Sequence, residues 1–425
     1  MSPCLNRLLY VCLDGLGDDP IPEFDGRTPL EAARTPVLDG LARRGALGLV
    51  HTVGEDVAPE SDIAVFAILG YDPREEHPGR GVLEALGAGM DFRDGHLAYR
   101  VNFATQEDGE IVDRRVGRDL PSEDARALAE EVNRSVALPS AEFHLQATVE
   151  HRGALVIHST EGPLSANVTN TDPAYGKEGS LGVALETFEN RVAECRPLDD
   201  SEEARRAAEV TNAFVQGAAR ILEASEVNAR RQKEGRLPAN LILSRDAGDH
   251  VPRLQPIKER FGPEWGCFVE MPVERGIALV LGMASVDAPT GMPRREQYAA
   301  WAELAADALG GYDALYVHIK GPDVPAHDGR AGEKREVIDD IDESFFGELL
   351  PRIATGRTVL AVTADHSTSC VRKAHTADPV PLLVVGPGVG SDTAESFGET
   401  AARSGSLGVL KGVQIVPRLI NVLRA

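Results

Sequence analysis

The chain's 425 residues are too many for one compact core, so its length predicts two or three domains. The composition, 42% apolar and 26% charged, is typical of a soluble globular protein, and the formal net charge of −23 argues against general nucleic-acid binding, which needs a positive surface. That charge would also repel an anionic substrate unless metal ions or local arginines reverse the field. The five cysteines are scattered, and neither a secretion signal nor an apolar span of about 18 residues is present, so we expect a cytoplasmic protein that binds no membrane.

The chain begins with alternating strands and helices. An apolar run at Arg7–Leu13 predicts a buried parallel strand that ends at Asp14. A helix follows from Pro36, and later a loop leads into another helix that begins near residue 63. Ser61 therefore stands where a loop meets a helix.

The middle of the chain has a different pattern, with short alternating strands between longer helices. Its predicted elements are strands at 96–103, 110–114, 143–151 and 154–158, a helix capped by Ser122, and one long helix at about 201–234. We predict that residues 76–275 form an inserted α+β domain.

The last third of the chain returns to alternating helices and strands. The predicted helices lie at 295–309 and 332–350, and the predicted strands at 313–319, 358–364 and 380–386. Because this is a βαβ pattern, we predict that residues 1–75 and 276–425 form one α/β domain with a doubly wound, mostly parallel sheet.

Acidic residues and histidines follow the ends of these predicted strands. They are Asp14, Asp323, His327, Asp365, His366 and His375. Gly321, Pro322 and Pro325 predict a loop without helix around two of them. Because the carboxyl ends of parallel strands meet at one edge of a sheet, we expect these side chains to lie together there. Oxygen and imidazole ligands suit Mn²⁺, Mg²⁺, Zn²⁺ or Co²⁺, and their number favours a pair of ions.

Two further groups of polar residues allow two interpretations each. Ser61 is either a helix N-cap or a nucleophile whose hydroxyl is activated by a metal. The cations and one neighbouring acid either bind an anionic substrate through bidentate contacts or lie on a solvated surface. These candidates are Asp113, Arg114, Arg115, Arg118, Arg245 and Lys320.

Several motifs together resemble a known family. They include "LDG" at 13–15, "SD" at 61–62, "LGYDP" at 69–73, "KGPDVPAHDG" at 320–329, "TADHST" at 363–368 and "HTADPVP" at 375–381. This ordered set resembles the alkaline phosphatase superfamily and, more closely, the archaeal-type cofactor-independent phosphoglycerate mutases. The segments "GRTPLEAARTPVLDGLARRG" and "NFATQEDGEIVDRRVGR" extend the resemblance, which covers nearly the whole chain.

The resemblance implies a two-metal isomerase. One ion, with manganese the first expectation, would be held by Asp14, Ser61, Asp365 and His366, and a second by Asp323, His327 and His375. Ser61 would accept the phosphoryl group of 3-phosphoglycerate and return it to the other hydroxyl, with no need for 2,3-bisphosphoglycerate. Arginines of the inserted domain would bind the small phosphorylated substrate.

The sequence departs from the family pattern at positions where substrate choice could change. The family's "PGSDTA" is "PESDIA" here, and its "RGAG" is "RDAG", which places Asp246 beside Arg245. A second hypothesis therefore keeps the metals and the serine in a phosphatase or a small-molecule phosphotransferase of the homoserine-kinase-like type. A third, a non-enzymatic binding protein, is disfavoured by the intact set of ligands. The sequence does not predict the oligomeric state.

Overall fold

The computed structural model describes residues 6–178, 181–185 and 187–424. The chain divides into two compact units. Unit 1 contains Met1–Glu75, Gln255–Glu270 and Leu281–Ala425, and unit 2 contains Glu76–Leu254 and Met271–Val280. No helix among the described residues is long and apolar enough to cross a membrane.

The strands are numbered in chain order. They are β1 (Arg7–Leu13), β2 (Ala46–His51), β3 (Leu97–Glu107), β4 (Glu110–Asp113), β5 (Ala141–Ala147), β6 (Arg152–Ser159), β7 (Tyr175–Glu178), β8 (Leu181–Ala184), β9 (Leu241–Gly248), β10 (Trp265–Val269), β11 (Ala284–Asp287), β12 (Ala314–Ile319), β13 (Thr358–Thr363), β14 (Ser367–Ser369), β15 (Ala374–Thr376), β16 (Val380–Val385) and β17 (Gly408–Lys411).

The α-helices are numbered in the same way. They are α1 (Pro29–Ala32), α2 (Pro36–Ala42), α3 (Ser61–Ile68), α4 (Pro73–Glu76), α5 (Arg80–Gly87), α6 (Ser122–Ser135), α7 (Glu202–Glu223), α8 (Glu226–Lys233), α9 (Ile257–Phe261), α10 (Pro272–Leu281), α11 (Arg294–Leu309), α12 (Asp323–His327), α13 (Ala331–Asp340), α14 (Gly347–Leu349), α15 (Glu399–Arg403) and α16 (Ile415–Arg424). A π-helical turn, Ile341–Phe346, joins α13 to α14, and single 3₁₀ turns lie at Pro22–Phe24, Val116–Arg118, Leu350–Arg352, Thr355–Arg357 and Gly412–Gln414.

Unit 1 is built on an eight-stranded sheet in the order β11-β10-β12-β1-β13-β16-β2-β17. β1 lies at its centre, paired in parallel with β12 and β13, and its residues from Leu8 to Leu13 are fully buried. β16 runs antiparallel to both of its neighbours, whereas the other pairs are parallel. The predicted α/β class with a mostly parallel sheet is therefore confirmed, and the apolar run of β1 reflects burial on both faces.

One strand of this sheet lies in the segment that the prediction assigned to the insertion. β10 pairs in parallel with β11 and β12, so it is part of the unit 1 sheet. The predicted boundary at residue 275 instead falls inside α10, most of which belongs to unit 2.

Unit 2 is built on an antiparallel sheet in the order β4-β3-β6-β5, with β9 also paired to β3. Tyr99, Phe103 and Phe214 belong to the apolar core that α6 and α7 form with this sheet. On the other face, α5 packs Val82 against Ala98 of β3. The antiparallel sheet with helices confirms the α+β class predicted for the middle of the chain.

Two local predictions in the chain are wrong. The long helix at 201–234 ends at Glu223, and Ser225 caps a separate helix, α8, by accepting the N–H of Val227. Pro121, not Ser122, is the N-cap of α6, and the Ser122 hydroxyl accepts the N–H of Glu150. In the sequence, Ser225 followed by Glu226 is a helix-start signal, and it marks the break between α7 and α8.

Candidate active site

Asp14 follows β1 at the carboxyl edge of the unit 1 sheet. Its Oδ2 accepts a hydrogen bond from Lys320 Nζ (2.9 Å) and lies 3.3 Å from His318 Nε2. Burial alone would raise the pKa of this carboxyl, but Lys320 and His318 hold the pKa well below its usual value. Asp14 is therefore an anion, and two cationic or imidazole groups from the neighbouring strand fix its position.

Asp365 and His366 follow β13, the strand on the other side of β1. Asp365 Oδ1 accepts the N–H groups of Gly15 and His366, each at 3.0 Å. Asp365 Oδ2 and Asp14 Oδ1 are buried and have no hydrogen-bond partner within the described part of the chain. Because a buried carboxylate oxygen without a donor is costly, this pair of oxygens fits a bound cation.

Three histidines each bond an acceptor through Nδ1, so that in the neutral ring the lone pair is on Nε2. The bonds join His327 to the carbonyl of Lys373 (3.2 Å), His366 to Thr368 Oγ1 (3.0 Å) and His375 to the carbonyl of Pro59 (2.8 Å). A partner at one ring nitrogen is what orients a metal-binding imidazole and selects its tautomer.

The Nε2 atoms of His327 and His375 lie 3.2 Å apart, and Asp323 Oδ1 is 3.4 and 3.5 Å from them. Ligand atoms of one ion at bond lengths of about 2.1 Å lie about 3 to 3.4 Å apart, so the spacing suits a shared metal. Burial would lower the pKa of His375, but Asp323 and Glu60 raise it to about 10. A proton and a divalent cation therefore compete for this nitrogen.

Asp323 and His327 come from a helix, contrary to the predicted loop. They begin and end α12, so one helical turn places both side chains on the same side. Pro322 is the N-cap and Pro325 the third residue of α12, where a backbone N–H has no partner within the helix. The prolines therefore start this helix and do not prevent it.

Ligand atoms from these residues form overlapping groups. Within each group all atoms lie within 4.8 Å of one another, and the groups are Asp323–His327–His375, Asp14–Asp323–His366 and Asp14–His318–Asp365. The first is the set expected for one ion. The other two contain three of the residues expected for the second ion, together with Asp323 and with His318, which was not among the predicted residues.

Thr368 connects the ligand groups. Its Oγ1 donates a hydrogen bond to Asp323 Oδ1 (2.7 Å) and accepts the one from His366 Nδ1. Gly15, at a φ of +65°, lets the chain pass close by, since a Cβ there would lie 2.6 Å from this hydroxyl. A single hydroxyl thus sets the orientation of one ligand from each expected metal position.

Ser61 is the first residue of α3, and Glu60 is its N-cap without a side-chain cap bond. The interpretation of Ser61 as an N-cap is therefore wrong. Its Oγ lies 3.2 Å from His366 Nε2, so the hydroxyl stands beside the ligand cluster at a helix N-terminus, where backbone N–H groups favour anions. The structure brings Ser61, Lys320 and the predicted histidines and aspartates together in unit 1.

A buried lysine supports the segments that carry these residues. Lys334 of α13 is fully buried, and its Nζ donates to Asp18 Oδ2 (2.9 Å) and to the carbonyls of Gly17 (2.9 Å) and Thr368 (2.8 Å). The three bonds use all of its donors and tie the segment after β1 to β14.

The remaining predicted residues lie in unit 2. A pocket of about 330 Å³ is lined by Asp113, Arg114, Arg115 and Arg118, together with Ile111, Val112 and Asn190. Arg114 is held by bidentate hydrogen bonds to Asp172 (2.9 and 2.7 Å), and Asp113 Oδ1 accepts the N–H of Arg115 (2.7 Å). The fourth predicted arginine, Arg245, does not line this pocket and stacks on the ring of Tyr175 at 3.5 Å.

The turn that carries two of these arginines has an unusual backbone. Val116, Gly117 and Arg118 have consecutive φ values of 53°, 63° and 56°, in the left-handed region. A β-branched residue such as valine pays a steric cost there, and such backbone strain is concentrated at functional sites.

Comparison with known proteins agrees with these features. A family model for 2,3-bisphosphoglycerate-independent phosphoglycerate mutase matches residues 42–228. A protein of that name from Aeropyrum pernix is 42% identical over 98% of this chain and 99% of its own length. Another, from Methanopyrus kandleri, is 40% identical over 98% and 96%. The chain belongs to this family of isomerases.

Solved structures agree with the family assignment. A protein from Pyrococcus horikoshii covers 99% of this chain and 98% of its own, with a TM-score of 0.80 and 30% identity. The cofactor-independent phosphoglycerate mutase of Thermoplasma acidophilum covers 98% and 100%, with a TM-score of 0.61 and 33% identity. Both similarities extend over both units.

One position at which this mutase-family chain departs from the expected motif has a clear backbone requirement. Asp246 has a φ of +59° and lies where the pairing of β3 with β9 shifts register. Glycine adopts this conformation most easily, and aspartate is among the residues that tolerate it. Asp246 can therefore adopt the left-handed backbone conformation that this position requires, but it adds a carboxylate 3.7 Å from Arg245 Nε.

Three residues of the unit 1 site were not predicted from the sequence. His318 lies inside a strand, Lys334 lies in a helix, and the hydroxyl of Thr368 is one of many. For His318 a signal existed, because it lies near the end of an apolar strand, two positions before Lys320, and residues at this spacing along an extended chain point to the same face.

Proposed function

We propose that the protein interconverts 3-phosphoglycerate and 2-phosphoglycerate through a phosphoserine intermediate on Ser61. The observation that carries the proposal is the hydroxyl of Ser61, 3.2 Å from His366 Nε2 at the edge of a cluster of carboxylates and imidazoles. A serine hydroxyl that faces such a cluster has the environment of an activated nucleophile.

The reaction consists of two transfers to and from one oxygen. Ser61 Oγ forms a bond to the phosphorus of 3-phosphoglycerate, the bond from phosphorus to O3 breaks, and O3 leaves as the hydroxyl of glycerate. The 2-hydroxyl then bonds to the same phosphorus, the bond to Oγ breaks, and the serine hydroxyl is restored. No second phosphorylated molecule enters, which fits a mutase that does not depend on 2,3-bisphosphoglycerate.

The residues of unit 1 fit a pair of divalent cations. Asp323, His327 and His375 would hold one ion, and Asp14, Asp365, His366 and Ser61 the other. Manganese is the first expectation, with magnesium, cobalt and zinc as alternatives. Such ions lower the pKa of a bound hydroxyl and offset the charge of a transferring phosphoryl group.

Other side chains supply charge near the reacting atoms or would hold the substrate in place. Lys320 donates a hydrogen bond to Asp14 and so adds a positive charge to the cluster of ligands beside Ser61. In the proposed reaction it would transfer a proton to the leaving oxygen. In unit 2, Asp113, Arg115 and Arg118 would bind the glycerate moiety, and Arg114, held by Asp172, would stiffen their pocket.

A direct test compares wild type with Ser61→Ala in Mn²⁺ and 3-phosphoglycerate, without 2,3-bisphosphoglycerate, measuring both 2-phosphoglycerate and free phosphate. We expect wild type to form 2-phosphoglycerate, and the variant to lose at least about 1000-fold of the rate because its nucleophile is gone. Mass spectrometry of wild type quenched during turnover should show a phosphate on the peptide that contains Ser61. Ser391→Ala, at an exposed serine, is the control.

Other results would assign a different reaction. Free phosphate as the sole product would make the protein a phosphatase. Phosphate found on an added alcohol, with no 2-phosphoglycerate, would make it a phosphotransferase. If Ser61→Ala retained full mutase activity, the phosphoserine route would be excluded.

A further inference from the structure

Lys334 is completely enclosed, together with the carboxylate that it contacts. The side chains of Lys334 and Asp18 have no exposed surface, and Nζ donates to Asp18 Oδ2 at 2.9 Å. A buried ion pair contributes little net stability, because the removal of both charges from water offsets their attraction. The effect of this pair is therefore expected in the positions that it fixes.

Hydrogen bonds around this pair join the chain after β1 to the chain at β14. Lys334 Nζ also donates to the carbonyls of Gly17 (2.9 Å) and Thr368 (2.8 Å). The carbonyl of Gly17 accepts the N–H of Thr368 as well (2.9 Å), and Asp18 Oδ1 accepts the N–H of Cys370 (3.0 Å). Thr368 is thus held at both its N–H and its carbonyl.

The two joined segments carry expected metal ligands. Asp14 lies just before the first segment, and His366 lies just before Thr368 in the second. The segments approach so closely that a Cβ at Gly17 would clash with β14. Thr368 Oγ1 bonds Asp323 at 2.7 Å and His366 at 3.0 Å, so a backbone shift of about 0.5 Å would stretch or break one of these contacts.

We infer that Lys334 is a positioning residue for the metal ligands and that it acts through Thr368. The inference rests on the proposed function, which places divalent cations among these ligands. All three of its hydrogen bonds go to Gly17, Asp18 and Thr368, none of which is an expected ligand. By fixing the Thr368 backbone, Lys334 keeps the Thr368 hydroxyl at the distance from which it orients one ligand of each expected ion.

A double-mutant cycle tests whether the effect passes through Thr368. Lys334→Met alone would leave the Asp18 carboxylate buried without its cation, so the variant to use combines Lys334→Met with Asp18→Asn, which retains an oxygen acceptor for Cys370. Calorimetry on metal-free protein measures the Mn²⁺ affinity. We expect the combined change to weaken Mn²⁺ binding about tenfold in the wild-type background and less than about twofold in Thr368→Val, where the hydroxyl is already gone. It should alter the visible spectrum of the Co²⁺-loaded protein only where Thr368 is present.

Leu41→Ala is the matched control, because Leu41 is buried in unit 1 but lies in α2, which packs against β16 and the π-helical turn. It should lower the stability of the protein by leaving a cavity and keep the Mn²⁺ affinity within about twofold of wild type. An unchanged affinity in the combined variant, an equal loss in both backgrounds, or a similar loss in Leu41→Ala would overturn the inference.

A failure of the proposed function is distinguishable from a failure of this inference. The cycle measures metal binding and needs no turnover, whereas the mutase reaction is tested with 3-phosphoglycerate. A loss of Mn²⁺ affinity that depends on Thr368, in a protein that forms no 2-phosphoglycerate, would support the inference and reject the reaction. A wild-type protein that binds no Mn²⁺ would overturn the inference.

Discussion

Among single residues, Thr368 contacts two of the expected metal ligands at once. Its hydroxyl donates to Asp323 and accepts from His366, two residues that the proposed mechanism assigns to different metal ions. Loss of this hydroxyl would free the His366 ring to change tautomer and leave Asp323 without its donor. Partners of this kind typically contribute 10- to 100-fold to metal affinity.

Replacing Thr368 by valine, which has a similar shape, tests this role. We expect Thr368→Val to weaken Mn²⁺ binding to metal-free protein about 10- to 100-fold in calorimetry, whereas Thr368→Ser should stay within about threefold of wild type. The visible spectrum of the Co²⁺-loaded protein should change in the valine variant alone. Equal affinities and spectra for valine and wild type would show that the hydroxyl does not position the ligands.

Glu399 should make stability depend on pH. Burial, together with Glu31, raises its pKa to about 7, although Thr28 donates to its Oε2 at 2.8 Å. Because the folded state favours the protonated form, the stabilising contribution is complete below the unfolded pKa of about 4.5 and is lost as pH rises through about 7. Because a glutamine side chain is neutral at every pH, Glu399→Gln should not lose stability as the pH rises.

We therefore expect Glu399→Gln to match wild type at pH 4.5 to 5 and to exceed its free energy of unfolding by about 1 to 3 kcal/mol at pH 8. Urea unfolding at the two pH values measures this. Glu395→Gln, at an exposed position, controls for the lost charge. A gain of the same size at both pH values would refute the argument.

At the scale of secondary structure, one helix start depends on a residue about 300 positions away. The N-cap of α2, Thr35, makes no side-chain cap bond. Instead the buried carboxylate of Asp342 accepts the N–H groups of Val37 (3.0 Å) and Leu38 (2.8 Å). Asp342 lies in the π-helical turn after α13, where hydrogen bonds between residues five apart, not four, change the direction of the side chains.

Asp342→Ala should remove the acceptor of both N–H groups, of which that of Leu38 is buried. We expect it to lower the free energy of unfolding by about 2 to 4 kcal/mol, and Asp342→Asn, which keeps one acceptor oxygen, to cost less. Urea unfolding of the two variants gives the comparison. A loss below about 0.5 kcal/mol for alanine would mean that water or another group replaces the cap.

Several elements were predictable because the signal lies in a few adjacent residues. The apolar run of β1 and the aspartate after it are such cases. Local rules failed at α12, because Pro322 and Pro325 break a helix in its interior but fit its first turn. The role of His318 was only partly predictable, because its partner Asp14 is brought close by the pairing of β1 with β12 across about 300 residues of sequence.

At the scale of the whole molecule, the sequence predicted two kinds of sheet and their order along the chain. It did not predict that β10 returns to the first sheet, since a short apolar strand looks the same in either unit. The class of each unit follows from periodicity, but membership of a given sheet depends on contacts between distant segments.

The central place of β1 has a consequence for how the protein is made. Leu8 of β1 pairs with Ala314 of β12, and Arg7 with Thr358 of β13. At ribosomal rates of about 5 to 20 residues per second, this apolar strand waits about 15 to 60 s for its first neighbour to be synthesised. Unit 2 residues emerge entirely within that interval. The nascent chain therefore presents an unpaired, aggregation-prone strand for most of translation, and a chaperone that covers the first twenty residues should raise the yield of folded protein.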